Sequence, residues 1–144
     1  MRLTVFGYPF ALDEMVVDAD AEEIRRQVRE YERGDRRDFD LSVDVPDSFT
    51  GRVMEAMAAI PYGETRSYGD LAREVDTSAV AVGGACGRNP IPILVPCHRV
   101  VGADSLGGFS AEGGVAAKER LLAHERDGSV QLRLDRVGRG RYQS

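Results

Sequence analysis

The stretch Pro96-Cys97-His98-Arg99-Val100 decides how this chain is read. It sets one of only two cysteines beside one of only two histidines, between two apolar, β-prone runs. A free cysteine taken alone packs as a small buried hydrophobe, and an isolated Cys-His neighbour pair is core more often than catalyst. The segment before it, Pro90-Ile91-Pro92-Ile93-Leu94-Val95, is apolar, too short for a helix and interrupted by prolines. It reads as a buried extended segment that delivers Cys97 to a turn.

Outward from this stretch the punctuation is regular. A helix is predicted from about Ser48 to Ala59, with Phe49, Val53, Met57 and Ile60 along one core face. Pro61-Tyr62-Gly63 turns the chain, and Ser67-x-x-Asp70 reads as a capping box opening a short helix through Val75. Asp76-Thr77 turns again, and a helix of small residues follows from about Ser78 to Gly87. Two short helices around a tight turn make a helix-turn-helix. On the other side, glycine-rich loops surround Phe109, a helix runs from about Glu112 to Glu125, and Val130 to Leu134 alternates like a last strand. The Arg-rich end, Arg133 to Arg141, is either a solvated tail or a phosphate contact. Toward the N-terminus, residues 3–6 and 15–17 suggest short strands and Asp18 to Arg33 a helix striped by Ile24, Val28 and Tyr31. Phe39 to Val43 alternates like a strand, and Pro46 marks a boundary. The expected fold class is α+β. A small α/β lobe at 1–46, too short to hold its own core, precedes a mostly helical, winged helix-turn-helix-like domain at 47–144.

Composition narrows the function classes. At 144 residues and 42% hydrophobic content this is one unit with room for a core, and no apolar run reaches the ~20 residues of a membrane span. The N-terminal residues lack the apolar region of a secretory signal, and two cysteines point to free thiols in a reducing cytoplasm. Net charge is −5, carried entirely by residues 1–46, where 12 acidic side chains face 7 basic ones. Residues 47–144 balance at 12 of each, so arginine clusters there can still meet phosphates. Lys118 is the one lysine among 19 basic residues.

From Ile60 to Glu125 the chain resembles the methylated-DNA–protein-cysteine methyltransferases, the O6-alkylguanine repair proteins. The residues that carry the likeness are Ile60-Pro61-Tyr62-Gly63-Glu64-Thr65, Ser67-Tyr68, Ala81-Val82-Gly83-Gly84-Ala85, Asn89-Pro90, Pro96 to Val100, Lys118-Glu119 and Leu121 to Glu125. The resemblance implies a single-turnover transfer of the alkyl group from O6-alkylguanine in DNA, with O4-alkylthymine a further substrate, onto Cys97. It implies Tyr68, Phe109 and Ser110 around the base, and the carbonyls of Cys97 and Val100 accepting from the guanine amino group. Thr77, Ser78, Val80, Ala81 and Arg88 would face DNA, and Asn89 would hold the turn before the reactive segment. Alkylated DNA is the partner so implied, with a monomer, no cofactor and no metal. The cysteines and histidines themselves show no zinc-ligand spacing.

The residues support that chemistry directly. Displacement at carbon needs a thiolate, and a thiol of pKa about 8.5 is only about 3% ionised at pH 7. His98 is the nearby base, reaching its sequence neighbour best through a water. Leu121 and Leu122 face the core, which places Glu125 on the same side of that helix. A buried carboxylate there needs a partner, and His98 supplies one. His124 reads as a solvated helix-end residue and Cys86 as packing.

The chain also departs from the family. Val80 stands where the family commonly carries an arginine that fills the gap left by an extruded base, and the preceding turn is about two residues short. Two readings stay open: Val80 wedges apolarly, or duplex flipping is poor and frayed or single-stranded DNA is preferred. Phe109 replaces a common tyrosine, and Ala111 and Glu112 are extra residues after Ser110. The rivals are a non-repairing sensor of alkylated bases, a helix-turn-helix regulator and, more remotely, a cysteine hydrolase.

Overall fold

Both residues of the Phe6-Gly7 turn have positive φ, 53° and 83°, the backbone of a two-residue hairpin turn whose twist matches its strands. In the computed structural model, which describes residues 1–142 and the side chains of 1–128, this turn joins β1 (Arg2–Val5) to β2 (Tyr8–Ala11) with Leu3 opposite Phe10. The expected strand at 15–17 is instead a 3-10 turn, Glu14–Val16, because the Asp13 carboxylate caps the Met15 amide. Helix α1 (Ala21–Glu32) starts at the Asp20 cap and buries Ile24, Gln27, Val28 and Tyr31. The alternation at 39–43 does not become a strand. One bridge, Val17 to Val43, remains of it, and the Gln27 side chain holds Asp40 by exchanging two hydrogen bonds with its backbone.

Helix α2 (Phe49–Ala58) opens on Ser48 and buries Val53, Met54, Ala56 and Met57. A Cβ at Gly51 would stand 1.8 Å from the Pro46 carbonyl oxygen, so only glycine lets the incoming chain cross this close to the helix. β3 (Arg66–Ser67) leads into α3 (Tyr68–Glu74), whose Ser67–Asp70 capping box forms as expected. A turn with Asp76 at φ 57° then leads to α4 (Ala79–Gly87), capped by Ser78. Leu71, Ala72, Val82, Ala85 and Cys86 close the interface of the helix pair and α2. Chain and core thus present the outer face of α4 to solvent, with Val80 86% exposed.

The segment before Cys97 is buried but not extended. Asn89 gathers it into a turn: its side-chain oxygen accepts from the Ile91 amide, its Nδ2 donates to the Val95 carbonyl, and Val95 N–H returns to Ile91 O. Ile93 takes φ 75° at the apex. The chain then makes a 3-10 turn, Cys97–Arg99, and enters β4 (Val100–Val101), which pairs in parallel with β3. Helix α5 runs Gly114–Tyr142, so the expected strand at Val130–Leu134 is helical. Alternation of three apolar residues supplies no partner edge, whereas the helix continues its own backbone bonding. The side chains of Arg133 to Arg141 lie outside those described. Architecture and class are α+β, with two two-stranded sheets among the described residues.

Candidate active site

Cys97 is 6% exposed and lines a cavity of about 300 Å³ with Tyr68, Gly83, Cys86, Gly87, Gly108, Phe109 and Ser110. One wall is thus the inner face of α4 and another is the loop before α5. A second hollow of about 200 Å³ shares Gly87, Cys97, Phe109 and Ser110 and reaches Asn89, Ala111 and Glu112. Two larger hollows, about 340 and 400 Å³, contain neither cysteine. Size does not single out the site; the Cys97 thiol does.

Behind Cys97 the His98 ring is fully buried, and its Nε2 lies 2.6 Å from Glu125 Oε2. Glu125 is held by more than the histidine. Arg99 donates Nε–H to Oε1 at 2.8 Å and Nη2–H to Oε2 at 3.0 Å, and the Tyr31 phenol donates to Oε2 at 2.6 Å. Burial alone would raise the Glu125 carboxyl, but the bonds and charges of His98 and Arg99 overcome it and hold it far below the ordinary carboxylate range. An ionised Glu125 only accepts, so His98 carries its proton on Nε2 and leaves Nδ1 as the base. Nδ1 is buried and has no partner among the described residues. Burial first, then the charges of Arg99 and Lys118, press the His98 pKa down against the pull of Glu125, which keeps the ring neutral at rest.

The two thiols differ. Burial raises the Cys97 pKa, against the Asn89 side chain and the Lys118 charge, so the resting sulfur is a thiol that ionises only by giving its proton to a base. Cys86, buried with its sulfur 3.5 Å from Met57 Sδ, is pushed up to about 12. It packs and lines the cavity floor without being a nucleophile. Tyr68 is raised by burial and stays a protonated donor.

Three side chains that sequence reasoning passed over complete the site. Arg99 was visible only as a motif residue, although its Nη1 also holds the Ile60 carbonyl at 2.7 Å. Lys118, the lone lysine, is fully buried and donates to the carbonyls of Val100 at 2.6 Å, Gly108 at 3.0 Å and Leu106. The Val100 carbonyl, expected to face a guanine amino group, accepts from Lys118 on one lone pair and keeps the other. Tyr31 was read as a core stripe residue, with nothing in the sequence to show where its hydroxyl ends. His124 is not a solvated helix-end residue. It donates to the Tyr31 carbonyl at 2.8 Å and packs on the rings of Phe6, Tyr31 and Tyr62. Leu121 is buried as expected, and Leu122 only half so.

On the outer face of α4, Ser78 and Arg88 are exposed and Thr77 and Ala81 half-buried, with Arg88 Nε reaching Thr50 Oγ1 at 3.2 Å. Residues 48–127, which hold all of this machinery except Tyr31, match the family model of the 6-O-methylguanine DNA methyltransferase DNA-binding domain. The chain belongs to that family. A methylated-DNA–protein-cysteine methyltransferase of Archaeoglobus fulgidus is 42% identical over 112 residues, which cover 72% of this chain and 74% of that protein. One from Mycolicibacterium paratuberculosis is 48% identical over 104 residues, 69% of this chain and 62% of its own. The crystal structure of Mycobacterium tuberculosis OGT in complex with DNA superposes with a TM-score of 0.69 at 42% identity, covering 74% of this chain and 68% of that one. An O6-methylguanine-DNA methyltransferase of the archaeon Pyrococcus kodakaraensis matches at TM-score 0.55 and 27% identity over 87% of this chain and 96% of that one. The methyltransferase fold so shared is the α+β fold described above.

Proposed function

We propose that this protein repairs DNA by taking the alkyl group of O6-alkylguanine onto Cys97, once per molecule. The observation that carries the reading is Cys97 lining a base-sized cavity, with the next residue, His98, buried and paired to Glu125. The Cys97 proton passes to His98 Nδ1, through one water because neighbours on a 3-10 turn point apart, and Glu125 stabilises the imidazolium. The sulfur attacks the alkyl carbon, an S–C bond forms, the C–O6 bond breaks, and its electron pair stays on the purine. Ser110 and the Tyr68 phenol stand at the cavity wall to donate as that charge develops, and the purine takes up a proton to become guanine. A thioether is inert to water and thiols, so the reaction is stoichiometric. The reading carries with it DNA as partner, a monomer, and a cytoplasm that keeps both cysteines free.

The target atom is buried in a duplex, so the base has to leave the stack. Val80, exposed on the first turn of α4, is the apolar wedge for the vacated step, as apolar side chains serve in other minor-groove proteins. Val80→Arg is expected to speed transfer from duplex DNA roughly tenfold while changing single-stranded DNA little; equal effects on both would discard the wedge. The function itself is tested by intact mass after incubation with an O6-methylguanine oligonucleotide. One methyl group is gained by the native protein and none by Cys97→Ser. Tight binding with no gain in mass would instead make the protein a sensor.

A further inference from the structure

The relay does not end within the C-terminal part of the chain. Tyr31, on α1 and fully buried, donates its hydroxyl to Glu125 Oε2, the same oxygen that faces His98 Nε2. Ninety-four positions separate the two residues. Packing alone would be served by phenylalanine here, since a buried hydroxyl costs free energy unless it is bonded. The Tyr31 ring is itself clamped, with Phe39, Tyr62 and His124 at centroid distances of 5.6, 6.2 and 5.2 Å, and His124 holds its backbone carbonyl. A donor this constrained can set where the carboxylate points.

We propose that Tyr31 is a positioning residue for alkyl transfer: its phenol orients the Glu125 carboxylate and draws off part of its charge, so that His98 presents Nδ1 toward Cys97. The N-terminal segment is then part of the catalytic apparatus, an inference resting on the transfer reading above. Burial and the Glu125 charge hold Tyr31 well above the ordinary phenol range, so it remains a neutral donor throughout. The charged and titratable groups facing the relay are His124 against Tyr31, Arg99 and Tyr62 near Glu125, Lys118 and Cys86 near Cys97, and Arg37 beyond Tyr62.

Removing the phenol leaves more negative charge on Glu125, which stabilises the imidazolium and raises the His98 pKa. A protonated His98 cannot accept the Cys97 proton, so the acid limb of the transfer rate moves to higher pH. For Tyr31→Phe the expected shift is upward by about half a pH unit, with the plateau single-turnover rate roughly tenfold lower and oligonucleotide affinity unchanged. Difluorotyrosine at position 31, a stronger donor of nearly the same shape, moves the limb the opposite way and serves if the phenylalanine variant fails to fold. A lowered melting temperature with an unmoved pH profile, in either variant, would make Tyr31 packing only and overturn the proposal. The imidazole titration of His98, followed by nitrogen NMR, gives the same shift without DNA. Absence of methyl gain by the native protein would sink the repair reading, while the NMR shift would still decide the role of Tyr31.

Discussion

Glu125→Ala is expected to cost about 3–5 kcal/mol of folding stability, because it leaves the buried Arg99 guanidinium without its carboxylate. Urea denaturation measures it directly. The same change strands the Tyr31 hydroxyl and His98 Nε2, so with Arg99 three buried side chains lose one shared acceptor. The transfer rate of the folded fraction should fall by roughly a hundredfold or more, the contribution of a positioned base. A rate within twofold of native would mean that His98 acts without its carboxylate. Glu125→Gln separates the two effects, since it keeps the shape while removing the charge that stabilises an imidazolium.

Lys118→Met should damage the cavity rather than the relay. Three N–H donors on one ammonium meet three carbonyls, from Val100 on the reactive segment and from Leu106 and Gly108 on the loop that carries Phe109 and Ser110. Without them the carbonyls lose a charged donor, at a cost of roughly 2–4 kcal/mol, and the wall of Gly108, Phe109 and Ser110 loses its tether. Thermal melting and polarisation binding to an O6-methylguanine oligonucleotide report the two losses. Lys118→Arg should not rescue them, because a planar fork cannot direct three donors into so small a cage. The Lys118 charge also holds the Cys97 thiol down, so its removal should shift alkylation of Cys97 by iodoacetamide to more alkaline pH. Native binding and an unmoved profile would show that the lysine is only a spacer.

The helix-turn-helix and the reactive turn were legible because their signals are local. Ser67 with Asp70, Ser78 and Ser48 cap the helices they were expected to open. Position along the last helix put Glu125 inward, three and four residues beyond Leu122 and Leu121. The N-terminal segment was read less well. Tyr8 to Ala11 contains Pro9 and gives little strand signal, yet it pairs because the Phe6-Gly7 turn folds it back on β1. Phe39 to Val43 has the alternation of a strand, but a helix side chain, Gln27, takes both backbone groups of Asp40. Lys118 shows the same limit: nothing in the sequence says that the one lysine will end on the Val100 carbonyl, 18 positions away.

Residue order alone marked the Cys97-His98 pair, the caps and the helical face that carries Glu125, since each depends on contacts within a few positions. Packing decided what surrounds Glu125. Tyr31 reaches it across 94 residues and Arg99 across 26, and no periodicity or motif spans such distances. A buried carboxylate accepts whatever donors the folded chain brings within about 3 Å, and that choice exists only once the core has closed.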